Sequence, residues 1–353
     1  MEDTKERPTD TLPPHAQLIQ MSSDFLRSRA LYTAARLGLA DHLDDGPKRA
    51  ETLAERTGTQ ASALHRLLRA LAHWDILSMH DDRRFSLTPL GEALQSDAPG
   101  AARATILTVA GNGFWNAVQR LPDTLNDGEP GFKKAHGTSW FEHLDTHPDE
   151  ASRFNDTMIG FHGAEPPAVA EAYDFSDFDT IVDVGGGTGN MLATIFEQHP
   201  GPNGILFELP RVLDEAPALL EERGVADRVT LEGGDFFADV PAGGDAYILS
   251  HILHDWPRDR CLTILQNCRA AMGPDGRLLI VEMVLPDEGP PHPGYELDVV
   301  MLALTGGRER TADRYASLLE ATSFRMERVV PTDSPVSVVE AVPAAGSTNG
   351  SGG

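Results

Sequence analysis

Residues 250–260 read SHILHDWPRDR, which sets His251, His254 and Asp255 side by side just after the apolar run AYIL. Imidazole and carboxylate at the end of a buried strand suit three roles: ligation of a metal, proton removal by a general base, or a polar opening of the next helix. For a metal built from these three residues, strand alternation sends His251 away from its neighbours and no further clustered ligands lie nearby, so no metal is expected. As a helix start, Asp255 should cap and Pro257 should lie in the first turn. That geometry leaves His254 without a purpose.

A second constellation is VDVGGGTGN. Its glycines Gly185, Gly187 and Gly189 follow Asp183 at the end of an apolar run and precede a helical pattern. Glycines there let backbone approach a ligand closely, beside a helix N-terminus. The nicotinamide pattern G-x-G-x-x-G is not met, because its last position falls on Asn190 or Leu192. Glu208 ends the next apolar run, 19 residues beyond Gly189. A carboxylate placed there can accept both hydroxyls of a ribose. GGDFF closes a third run and offers Asp235 for an adenine amino group and Phe236 for its face.

Positioning these groups requires a parallel sheet. From about residue 166, short apolar runs (TIVDVG, GILFELP, VTLEGGDFF, AYILSHIL, RLLIVEMVL) alternate with helical patterns, as in a sheet covered on both faces. The closing RMERVVPTDSPVSVVEAVP holds two runs with no helix between, which predicts a hairpin at the sheet edge. Ligands of such sheets lie beyond the carboxyl ends of the strands. Residues 15–100 read as mostly helical, with apolar residues at three-to-four spacing from Leu18 to Ala35. They are followed by a short helix, a turn at Gly58, a longer helix from about Ser62 to Trp74 and a charged hairpin around Asp81 and Asp82. This is the outline of a winged helix-turn-helix. Residues 101–165 read as connecting helices, and 344–353 as a flexible tail.

The chain has 353 residues, 41% hydrophobic and 24% charged, with a net charge of −25. An acidic balance disfavours a polyanionic partner, because phosphate neutralisation by Lys and Arg drives nucleic-acid binding; DNA recognition through Arg66 and Arg69 of the second helix is the minor reading. No stretch approaches the ~18 apolar residues of a membrane span, and the acidic N-terminus has no apolar signal core, so a cytoplasmic protein is expected. Cys261 and Cys268 lie in one apparent helix and suit packing rather than a disulfide.

Taken in order, VDVGGGTG, FELP, GDFF, HILHDW and GGRERT resemble the class I S-adenosylmethionine-dependent O-methyltransferases of the caffeic-acid and hydroxyneurosporene type, over residues 15–342. The resemblance implies a Rossmann-like α/β sheet of order 3-2-1-4-5-7-6 and an N-terminal, mostly helical winged-helix domain that makes a homodimer. The implied domains are 15–100 for dimerisation, 101–165 as linking helices near the substrate and 166–343 as the cofactor-binding catalytic domain. It also implies S-adenosyl-L-methionine as cofactor, S-adenosyl-L-homocysteine as product, and a cofactor site at Gly185, Glu208, Asp235, Phe236 and Trp256, to which the glycine-turn reading adds Asp183 and Gly187 and the strand end adds Ser250. Two positions depart from the family: Glu208 replaces the usual Asp, and Ser250 replaces a Lys common in plant members. By the same comparison His254 is the general base, flanked by Glu282 and Glu309; Arg310 and Thr311 read simply as the start of the next helix.

An aromatic acceptor wants flat apolar walls with few polar groups. Phe114, Trp115, Phe154, Asn155, Met158, Phe161, His162 and Met301 are candidates, and Met21 or Phe25 of the first helix could reach a partner's site. The function expected is O-methylation of an aromatic or polyene small molecule in secondary metabolism. The alternatives are the same cofactor site with chemistry drifted to hydroxylation, decarboxylation or N-methylation, and a ligand-sensing DNA-binding regulator.

Overall fold

The computed structural model describes residues 12–289 and 291–344. They form two compact units: one runs to Trp115 and includes Ser152–Gly160, and the other comprises Asn116–Ala151 and the chain from Phe161 on. The segment 101–165 is thus shared between them. The tail expected at 344–353 lies, beyond Ala344, outside the described residues.

In the first unit the amphipathic stretch after residue 14 is two helices, Pro14–Met21 and Asp24–Arg36. The break falls at Ser22 and Ser23, whose hydroxyls both bond back to the Ile19 carbonyl at 2.7 and 3.2 Å; such local side-chain bonds compete with the helical ladder. Leu18, Ile19, Met21, Phe25 and Leu26 remain exposed. The helix-turn-helix follows as Ala50–Thr57 and Ala61–His73, hinged at Gly58 with φ 65°. Strands β1 (Lys48–Arg49), β2 (Leu77–Met79) and β3 (Arg84–Leu87) make an antiparallel wing in the order β1-β3-β2. Leu53, Leu64, Leu68, Leu71 and Phe85 fill its core. Arg66 and Arg69 are exposed.

The second unit is built on β4 (Thr180–Val184), β5 (Asn203–Glu208), β6 (Val229–Gly233), β7 (Ala246–Ser250), β8 (Arg277–Glu282), β11 (Phe324–Pro331) and β12 (Ser337–Pro343). Two short strands, β9 (Val284–Leu285) and β10 (Arg310–Thr311), pair separately in parallel. The large sheet has the order β11-β12-β8-β7-β4-β5-β6, which is 3-2-1-4-5-7-6 read from the other edge. Five parallel strands carry the centre, and β12 returns antiparallel to both β8 and β11. Apolar clusters cover both faces, one around Ile181, Leu192 and Leu206 and the other around Val182, Tyr247 and Ile264. Cys261 and Cys268 are unbridged and fully buried in the helix Arg258–Ala271. Among the described residues, no helix is long and apolar enough to cross a membrane.

Candidate active site

The carboxyl ends of β4 and β5 bring the glycine turn and two acids together. Asp183 is fully buried and neither of its carboxylate oxygens has a partner. Burial, helped by the charge of Glu208, pushes its pKa up to about 7. Side chains are excluded at the first two glycines of the turn: a Cβ at Gly186 would lie 2.4 Å from the Asp183 carboxylate, and Gly185 has φ 72° with Ile252 2.6 Å from where its Cβ would be. Glu208 accepts from the Gly187 amide at 3.1 Å and from the Leu209 amide at 2.7 Å. Burial nevertheless raises its pKa.

An aromatic wall flanks this turn. The Phe236 ring comes within 3.3 Å of the Gly185 Cβ position and meets Trp256 edge-on, centroids 6.4 Å apart. Trp256 also stacks on Phe141 at 5.2 Å and takes the edge of Phe237 at 4.8 Å. The Arg260 guanidinium lies 3.5 Å over Phe237, a cation–π contact. Asp235 is exposed and its carboxylate accepts from the Phe237 amide at 2.8 Å. Ser250 ends β7, half-buried. Phe141, Phe237 and Arg260 were not read from the sequence; for Arg260, its place four residues after Trp256 was the available signal.

His254 sits in a 3-10 turn, Leu253–Asp255, beyond β7. Its Nδ1 donates to Glu309 Oε1 at 2.8 Å, while its Nε2 lies 3.9 Å from Asp255 Oδ2, beyond hydrogen-bond reach. A carboxylate can only accept, so the bond to Glu309 fixes the hydrogen on Nδ1 and leaves the Nε2 lone pair free in the neutral ring. Burial opposes charge on this imidazole. Asp255, Glu309 and Glu282 outweigh it and hold the pKa up at about 10.

Two placements differ from the sequence reading. Glu282, at the end of β8, does not touch the ring: its Oε1 accepts from the His254 backbone amide at 3.0 Å, and its Oε2 from the Tyr315 hydroxyl. Asp255 does not cap the following helix, which opens at Arg258 behind Pro257 with no side-chain cap. It closes the 3-10 turn Leu253–Asp255 and faces His254 instead.

The GGRERT segment clasps this turn. The Arg308 amide donates to the His254 carbonyl at 2.7 Å, and a Cβ at Gly307 would fall 1.8 Å from that same oxygen. Arg310 does not start a helix. It is buried in β10, and its guanidinium donates to the carbonyls of Leu253 at 2.8 Å and Trp256 at 2.9 Å. It is a positioning residue that the sequence reading passed over.

The expectation that no further ligand-type residues cluster near His251 is corrected as well. Strand alternation does not govern His251, which leaves the strand with φ 53°, and the carboxylate of Glu165 bonds both it and His162. The other acceptor-site candidates divide between the units. Phe114, Trp115, Phe154, Asn155 and Met158 belong to the first and are half-buried; exposed Phe161 and buried Met301 belong, with His162, to the second.

Residues 118–325 match the O-methyltransferase domain family, and residues 19–97 the O-methyltransferase dimerisation domain. A phenazine O-methyltransferase of Lysobacter antibioticus is 42% identical over 96% of this chain and 99% of its own length. A phenazine-1-carboxylate N-methyltransferase of Pseudomonas aeruginosa is 33% identical over 89% of this chain and 92% of its own. The crystal structure of an O-methyltransferase from neocarzinostatin biosynthesis, in complex with S-adenosylmethionine and 2-hydroxy-5-methyl naphthoic acid, superimposes with a TM-score of 0.81 at 29% identity, covering 90% of this chain and 96% of that one.

Proposed function

Because the chain belongs to the O-methyltransferase family that carries a dimerisation domain, we propose that it methylates a hydroxyl of an aromatic small molecule of secondary metabolism, with His254 as general base. S-adenosyl-L-methionine fits the residues at the glycine turn. The partnerless carboxylate of Asp183 suits a cationic amino group, Glu208 suits vicinal hydroxyls, and Phe236 and Trp256 offer faces for a purine. When bound, this cofactor supplies an electrophilic methyl group and leaves as S-adenosyl-L-homocysteine.

The observation that carries the reading is the Nδ1 bond of His254 to Glu309. It leaves Nε2 to take the proton of an acceptor hydroxyl. A phenol titrates near ~10 and a free imidazole near ~6.5, a gap of about 5 kcal/mol for proton transfer. The acidic surroundings of His254 raise its proton affinity to about 10 and match it to a phenol, so transfer to the neutral ring is nearly balanced, and the neutral fraction of the ring grows as pH rises. Glu282, Arg310 and Gly307 hold the backbone of the turn, and thereby the ring, in place.

Incubation of the purified protein with methyl-labelled S-adenosylmethionine and a library of phenols, catechols and aromatic amines tests the reading. Label on a phenolic oxygen is the expected result. Label confined to amines would replace it with N-methylation, the activity named for the Pseudomonas aeruginosa relative. We further infer a homodimer through residues 15–100, on the exposed apolar face of the first two helices and the dimerisation-domain match. A monomer by light scattering at micromolar concentration would refute it.

A further inference from the structure

One cluster of ligand-type side chains is used by neither the base assignment nor the glycine turn. His162 closes the helix Pro148–His162, Glu165 opens the helix Glu165–Ala172, and His251 follows β7. Glu165 Oε2 accepts from His162 Nδ1 at 2.8 Å and from His251 Nε2 at 2.7 Å. One ligand atom from each of the three residues lies within 4.8 Å of the other two, and the two imidazole centroids are 3.8 Å apart with the rings tilted by 32°. Glu165 is 4% exposed, and the side chains of His251 and His162 are 10% and 23% exposed.

The charge of Glu165 is met by imidazoles alone. The ion-pair partners of Glu165 among the described residues are these two histidines. A buried carboxylate without a Lys or Arg is costly. In addition, His251 Nδ1 is buried with no partner.

We propose that His162, Glu165 and His251 form a binding site for one divalent transition-metal ion of the zinc class. Two imidazoles and one carboxylate, with a fourth position left to water, are a ligand set that zinc accepts. Calcium and magnesium are disfavoured, since both seek oxygen ligands. Metal–ligand bonds of ~2.0–2.2 Å require ligand atoms about 3.3 Å apart in a tetrahedral site. The oxygen already lies close to both nitrogens, and the remaining adjustment falls to His162, the most exposed of the three. A dication held on His251 would stand beside the ring of His254, centroids 5.1 Å apart, and oppose the positive charge gathered during proton removal. That slowing of turnover rests on the base assignment, whereas the metal site does not.

The test needs no methyl acceptor, so its failure is separate from failure of the proposed reaction. Full-length protein, stripped with chelator and exchanged into metal-free buffer, is titrated with Co2+ and then Zn2+. The expected result is one equivalent per chain by calorimetry, with a visible four-coordinate cobalt absorption that zinc bleaches. His162→Ala and Glu165→Gln should each weaken zinc binding by more than ~10-fold, while far-ultraviolet circular dichroism and a cooperative thermal transition like the parent's show that both variants fold. Absence of the cobalt absorption in the parent, or its persistence unchanged in both variants, would overturn the proposal.

Discussion

Glu309 holds His254 with one oxygen only: Oε1 takes the Nδ1 hydrogen at 2.8 Å, and Oε2 is buried without a partner. The ring is therefore oriented by a single charge-assisted bond, and its outward nitrogen depends on that bond for its lone pair.

Removing the ring should separate catalysis from cofactor binding. His254→Ala is expected to lower turnover by roughly 10²–10⁴-fold, the usual worth of a positioned base, with S-adenosylhomocysteine affinity nearly intact. Its residual rate should climb with pH as the acceptor ionises unaided. Near-normal turnover of the folded variant at neutral pH would sink the base assignment.

The pH profile carries the signature of the acidic shell. Only neutral His254 can accept a proton, so kcat/KM should rise from pH 7 toward the raised pKa of about 10. Glu309→Gln removes one of the charges that raise it. The rising limb should shift to lower pH, with a smaller loss of rate than in His254→Ala. A limb that stays where it was would mean that Glu309 does not set the basicity. The same raised pKa stabilises the fold below ~6.5, and that stability is lost as pH climbs through about 10.

Gly307→Ala places a methyl group against the His254 carbonyl oxygen, 1.8 Å from it before relaxation. The turn must move. A destabilisation of about 1–3 kcal/mol should accompany a larger proportional fall in kcat than in cofactor affinity. Differential scanning calorimetry and steady-state kinetics would read both, and an unimpaired kcat would show that the turn tolerates displacement.

At the cofactor turn, Glu208→Ala removes an acceptor that bonds two backbone amides and is proposed to hold both ribose hydroxyls. Affinity for S-adenosylmethionine should weaken by about 1.5–3 kcal/mol. Calorimetric titration giving parental affinity would show that the carboxylate has another task.

The sheet was legible because buried parallel strands are short apolar runs between turn residues, and the edge hairpin because no helical pattern separates its two runs. Local pattern misled where side chains from distant segments decide the outcome. Glu282 and Glu309 look equivalent in sequence, yet one bonds a backbone amide and the other a ring, a distinction made by where β8 and the GGRERT loop end. Arg310 reads as a helix start, but its carbonyl partners at Leu253 and Trp256 arrive only through folding. His162 and Glu165 carry no periodic signal that could link them to His251. The break at Ser22 and Ser23 is masked in the sequence by the strong apolar spacing on both sides.

The position of β12 inside the sheet has a consequence for biosynthesis. Ser337 of this strand pairs with Glu282 at the end of β8, so the strand that carries the brace for the His254 amide keeps an open edge until residues 337–343 have left the ribosome. Unpaired edges recruit other strands, and nascent chains fold from the N-terminus onward. The winged unit can therefore form while the large sheet is still incomplete. In cells, shortening the chain before Ser337 should yield aggregated protein rather than a less active enzyme.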